Sequence, residues 1–165
     1  MSSPRKSGPD RRAFLIMPLA LAACGFTPAY QKGGPAEALL GTVRAADPST
    51  KDAFAFVQRI EERLGRPERH AYDLTYEIGT RTVGVGITAD NRTTRYNLEG
   101  WVRYRLVDGA GTTVAQGRAQ SFTAFAATGS TVAMLAAEED AQVRLMRILA
   151  DQVVAQMIAQ LARRG

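Results

Sequence analysis

Apolar positions recur every second residue between Tyr72 and Phe125, and at steps of three and four on either side of that stretch. Alternation lays side chains on opposite faces of a strand, whereas steps of three and four gather them on one side of a helix, so the pattern predicts strands flanked by helices. Tyr72, Leu74, Tyr76 and Ile78 set one parity and Val83, Val85 and Ile87 the other, which predicts one long strand bent by a bulge or break across Gly79-Thr80-Arg81. Ala89-Asp90-Asn91 is turn chemistry. In the next strand Tyr96, Leu98, Val102, Tyr104 and Leu106 share a face with Gly100, while Arg95, Asn97, Glu99, Trp101, Arg103 and Arg105 share the other. Asp108 to Gly111 turns the chain, and Thr112 to Phe125 returns as a third long strand. Its row of small residues, Ala115, Gly117, Ala119, Ser121 and Thr123, admits a helix close to the sheet.

Leu39 to Ala45 has the β-branched and apolar content of a short first strand. Thr50 then stands where a helix N-cap belongs, Asp52 falls in the first turn, and Phe54, Val57, Ile60 and Leu64 make an apolar stripe that Gly65 and Pro67 end. A second start signal at Thr128-Gly129-Ser130-Thr131 precedes Val132 to Ala162, a long helical pattern without Pro or Gly. Leu145, Leu149, Val153, Met157 and Leu161 are spaced by four, so their row winds about 40° per step, and Met146, Ile148, Val154 and Ile158 widen it. One sheet face does not cover all of it. Either the helix wraps a twisted sheet or part of the surface is kept for a partner.

The N-terminus carries a different signal. Arg5, Lys6, Arg11 and Arg12 precede an apolar run from Ala13 to Ala23 that reaches only ~16 Å, about half of a ~30 Å hydrocarbon core, and Pro18 interrupts it. Such a run is a secretory leader, not a span. Leu21-Ala22-Ala23-Cys24 resembles a bacterial lipobox, which implies cleavage between Ala23 and Cys24 and acylation of the cysteine. Two or three acyl chains then tie the protein to a membrane, each methylene adding ~0.8 kcal/mol. Cys24 is the single cysteine, so no internal disulfide can form. Arg11-Arg12-Ala13-Phe14-Leu15 is also similar to a twin-arginine signal, with Asp10 in place of the usual Ser or Thr, so export runs by that route or by the general secretory one. Gly25 follows the cysteine instead of the Asp associated with inner-membrane retention, which points to the outer membrane. The expected layout is a signal peptide over 1–23, a lipidated tether over 24–38 that is polar and Gly/Pro-marked, and one domain over 39–165.

Removing the leader changes the charge. The chain is +5 as a whole, but 17 basic and 15 acidic residues remain from Cys24 onward, so the high isoelectric point gives no footprint for nucleic acid.

Cys24-Gly-Phe-Thr-Pro-Ala-Tyr30 resembles the opening of mature LptE lipoproteins of the lipopolysaccharide (LPS) assembly machinery, with Ala29 where a Leu is usual. Ala136-Ala137-Glu138-Glu139-Asp140-Ala141 followed by Arg144 is similar to the signature that opens their last helix. The resemblance implies an α+β fold in which two helices pack on one face of a roughly four-stranded mixed or antiparallel sheet. It also implies an outer-membrane, periplasm-facing lipoprotein that plugs and helps assemble the LptD β-barrel and aids LPS insertion, without catalysis or cofactor. An auxiliary lipoprotein of a lipid-exporting ABC system is the alternative.

The residues agree with a non-catalytic reading. His70 has no second histidine or cysteine near it in sequence, Gly84-Val85-Gly86 opens no helix, no Gly-x-Ser-x-Gly elbow occurs, and Glu138-Glu139-Asp140 suits the first turns of a helix. The candidate contact surface is Arg95, Arg103 and Arg105 around Trp101, with Arg81 and Arg92 nearby. Guanidinium groups grip phosphate by paired hydrogen bonds and an indole covers an alkyl chain, so this face suits LPS or the barrel wall. A solvated face on which Glu77 and Glu99 balance the arginines is the plainer reading of the same residues.

Overall fold

The computed structural model describes residues 33–87, 93–127 and 129–164. The order along the chain is α1 (Pro35–Leu39), β1 (Val43–Ala45), α2 (Lys51–Leu64), β2 (Tyr72–Ile87), β3 (Thr93–Asp108), β4 (Thr113–Ala126) and α3 (Thr131–Ala162). The four strands form one sheet in the order β1-β2-β3-β4, with β1 parallel to β2 and the remaining pairs antiparallel. Both long helices lie on one face, making the α+β architecture expected from the sequence.

The helix signals work through their caps. Thr50 accepts a hydrogen bond from the Ala53 N–H at 3.1 Å and Ser130 one from the Ala133 N–H at 3.3 Å, each satisfying an amide that the first turn leaves without a partner. Gly65 ends α2 at φ 78°, a backbone conformation that a side chain would strain. In β3, Leu98, Val102, Tyr104 and Leu106 are buried against the helices, and the alternation read from the sequence is the one the fold uses.

The small row of β4 does what its size permits. Ala115 and Ala119 are buried, and the Thr123 hydroxyl donates to the Ala141 carbonyl at 3.0 Å, so α3 sits against the strand with its one buried hydroxyl satisfied. Gly100 on β3 completes the approach, since a Cβ there would stand 2.8 Å from Leu145 Cδ2. Leu145, Leu149, Val153 and Met157 are fully buried, and so are the widening residues Met146 and Val154. The helix packs along α2 as well as β3 and β4, so two neighbours together cover most of a surface too broad for one sheet, Ile148 alone of the widening residues staying 38% exposed. Arg59 joins the helices by hydrogen bonds of 3.1 and 3.0 Å to both oxygens of Asp151, and that pairing raises the Arg59 pKa above its usual range.

Three local expectations need correction. Leu39 and Leu40 are not strand: Leu39 ends α1, a helical turn begun by Pro35 whose Ala36 and Leu39 are buried, and β1 is only three residues long. In α2 the buried stripe is Ala53, Phe56, Ile60 and Leu64, while Phe54 is 62% exposed; a small alanine at 53 brings the helix close and lets Phe56 meet Tyr76, rotating the expected face. The break in β2 is not at Gly79-Thr80-Arg81. Register runs unbroken from Tyr72↔Asp108 to Gly84↔Tyr96 and shifts only around Gly86, so Val83 changes parity because it lies on the face away from the helices, opposite Asn97.

Candidate functional site

The face of the sheet turned away from the helices carries the charged residues. Backbone register fixes which of them meet. Trp101 lies opposite Gly79 on β2 and Gln120 on β4, Arg103 opposite Glu77 and Arg118, Arg105 opposite Thr75 and Gln116, and Glu99 opposite Arg81 and Phe122. Alternation places all of these on one surface.

Trp101 is its centre. Its indole fills the space that a side chain at Gly79 would take, a Cβ there falling 2.5 Å from Trp101 Cε2. The Arg103 guanidinium carbon stands 5.0 Å from the ring centroid and that of Arg118 4.8 Å, so two cations lie against one indole. Each such contact is worth about 0.5–1 kcal/mol at an exposed site. Arg103 and Arg118 are also cross-strand neighbours, a placement in which like charges repel. The indole eases the repulsion, and a bound anion would remove it.

The acids answer only part of the positive charge. Arg81 bonds Glu99 at 2.5 Å, which raises the arginine's pKa, and Arg103 lies 3.6 Å from Glu77. Arg95, Arg105 and Arg118 have no carboxylate partner among the described residues. Two shallow grooves meet at Arg118. One of about 810 Å³ is lined by Gly79, Arg81, Glu99, Trp101 and Phe122, and one of about 800 Å³ by Glu77, Arg103, Arg105 and Gln116. Phe122 is 63% exposed, so the end of the indole away from Arg103 and Arg118 carries an apolar side chain beside the Arg81–Glu99 pair.

Of the residues singled out in the sequence, Trp101, Arg103, Arg105 and Arg81 are brought together. Arg95 is on the same face but six residues along β3 from Trp101, about 20 Å away. Arg92, Ala23 and Cys24 lie outside the described residues. Arg118 and Phe122 were missed. Counting back from the Asp108–Thr112 turn points toward them, but the register shift between Leu106 and Val107 offsets that count by one residue. Among the described residues no group of three or more His, Cys, Asp or Glu is placed to hold a metal ion, and no helix is long and apolar enough to cross a membrane.

The fold is similar to that of several solved bacterial lipoproteins. One from Caulobacter crescentus is 21% identical over 77% of this chain and 96% of its own, with a TM-score of 0.66. The rare lipoprotein B of Shewanella oneidensis is 10% identical over 74% of this chain and 96% of its own, with a TM-score of 0.59. A minor lipoprotein of Acinetobacter baumannii is 15% identical over 72% and 89%, with a TM-score of 0.53. At these identities the likeness is one of fold. The family is given by sequence: residues 41–157 match the LptE lipopolysaccharide-assembly model, and the chain belongs to that family. No curated protein matches the chain.

Proposed function

We propose that this protein is the lipid-anchored accessory subunit of an LPS-assembly site in the outer membrane. It plugs and helps assemble an LptD-type β-barrel, and its open sheet face meets the phosphates and acyl chains of LPS. Family membership supports the first part. The single observation that carries the second is the pair Arg103 and Arg118 against Trp101, with Arg105 beside them lacking a carboxylate partner among the described residues and Phe122 at the far side. A phosphate settles between guanidinium groups that repel one another, and an alkyl chain lies over an indole and an exposed phenyl ring.

The lipobox supplies the anchor in this reading. Cys24 carries the acyl chains, the stretch between Cys24 and α1 gives reach, and no catalytic group is called upon. Replacing Arg103 and Arg105 together with alanine is the test. Loss of LPS binding by the full chain, with an unchanged far-UV circular dichroism spectrum, is expected; LPS binding and barrel co-purification at wild-type levels would refute the role of this face.

A further inference from the structure

The two grooves of the open face differ in charge. In the groove beside Phe122, Arg81 and Glu99 neutralise one another, and only Arg118 at its border adds a further cation. The other groove has Arg103, Arg105 and Arg118 in its wall and Glu77 as its one carboxylate, so three guanidinium groups against one acid leave a net +2.

Register arranges these cations. Arg103 and Arg118 face each other across β3 and β4, where Cβ atoms lie ~5 Å apart, and Arg105 follows two residues along β3, ~7 Å from Arg103. Glu77 reaches only Arg103, at 3.6 Å and between two exposed side chains, a contact that solvent weakens. Arg105 and Arg118 meet no carboxylate among the described residues. The two tyrosines of the same wall play no part in its charge: Tyr104 is buried and bonded to Gln160, Tyr76 packs on Phe56, and partial burial raises the pKa of both.

An anion that matches this arrangement carries two charges and offers an oxygen to each of three guanidinium forks. A phosphomonoester does both, since its second proton leaves near pH ~6 and its three terminal oxygens all accept. A phosphodiester has one charge and two such oxygens, leaving one arginine and one positive charge without a partner. We propose that the Arg103–Arg105–Arg118 groove is a phosphomonoester site that selects lipids with an uncapped terminal phosphate over lipids whose phosphate is esterified twice. A lipid, not a free phosphate, is the ligand because Arg118 also borders the neighbouring groove, where Trp101 and the exposed Phe122 offer apolar surface to a chain attached to that phosphate. The site rests on the reading of this face as a lipid-phosphate contact and names the phosphate it takes.

The test uses the full lipidated chain in detergent and reads the fluorescence of Trp101, the single tryptophan of the chain. Three probes are compared: a short-chain phosphatidic acid, the phosphatidylglycerol of the same acyl length, and glycerol 3-phosphate. At about pH 7.5 the phosphatidic acid is expected to bind about tenfold or more tighter than either of the others, and to lose most of that advantage at about pH 5, where its phosphate carries one charge. Arg105→Gln leaves both cations at the indole in place and is expected to cut the advantage to about threefold or less. Glu77→Gln removes the only carboxylate of the groove and is expected to keep the pH step, because the ligand titrates. Equal affinity for the two lipids, an advantage that does not change with pH, or one indifferent to Arg105→Gln overturns the proposal. Glycerol 3-phosphate bound as tightly as the phosphatidic acid overturns the assignment to a lipid. LPS binding measured alongside separates the two readings: a chain that binds LPS yet treats both lipids alike overturns this site alone, and one that favours the phosphatidic acid yet ignores LPS supports this site and overturns the LPS contact.

Discussion

Trp101 stands over Gly79 so closely that even a methyl group on the glycine would overlap the indole, at 2.5–2.7 Å from three of its ring atoms. The ring is on the open face and free to swing, whereas the strand beneath it is held by β3. Gly79→Ala is therefore expected to displace the indole at a stability cost of under about 1 kcal/mol. Near-UV circular dichroism and tryptophan fluorescence should change while the urea midpoint barely moves, and LPS affinity should fall with the loss of the stack.

Gly100 gives the opposite balance. Its missing Cβ faces Leu145 at 2.8 Å and Leu149 at 3.3 Å, both fully buried under α3, so nothing can swing away into solvent. Gly100→Ala is expected to destabilise the domain by about 1–3 kcal/mol through overpacking. Urea unfolding checks it, with near-UV signals at Trp101 little altered.

Among the described residues Arg118 meets the indole and no carboxylate. Arg118→Ala should weaken LPS binding by about tenfold and reduce its dependence on salt, the loss of one charge-assisted phosphate contact. Arg81→Ala should do less, because Arg81 is already paired with Glu99. Binding isotherms at two ionic strengths separate the pair.

Asp52, in the first turn of α2, has its pKa raised from 3.8 by partial burial. The folded state then holds the proton to higher pH than the unfolded chain, so the contribution of this group to stability is full below pH 3.8 and is lost as pH rises through the raised folded value. Asp52→Asn should flatten that part of the stability profile above pH 3.8, measured by urea unfolding.

The periodicities carried most of the fold. Strand alternation in β3, the small row of β4 and the four-residue steps of α3 each reflect a face that is buried, and burial is what a hydrophobic pattern records. Features that depend on contact across elements were not legible. Ala53 and Phe56 outrank Phe54 and Val57 only because Tyr76 waits on β2. Val83 imitates a bulge because an apolar residue on an open face looks like a buried one. At the candidate site, Trp101 and its strand neighbours were visible as one row, but Arg118 joined them only through a register that one irregular residue near Val107 displaced. The stretch holding Cys24 was read from leader chemistry, and that part of the reading rests on the sequence alone.

The most direct measurement is affinity purification of the lipidated chain from membranes, with its partners identified by mass spectrometry. A large outer-membrane β-barrel at near-equal amount, together with LPS, is the expected result. Recovery of an inner-membrane ABC transporter complex instead, or of an unacylated chain in the cytosol, would contradict it.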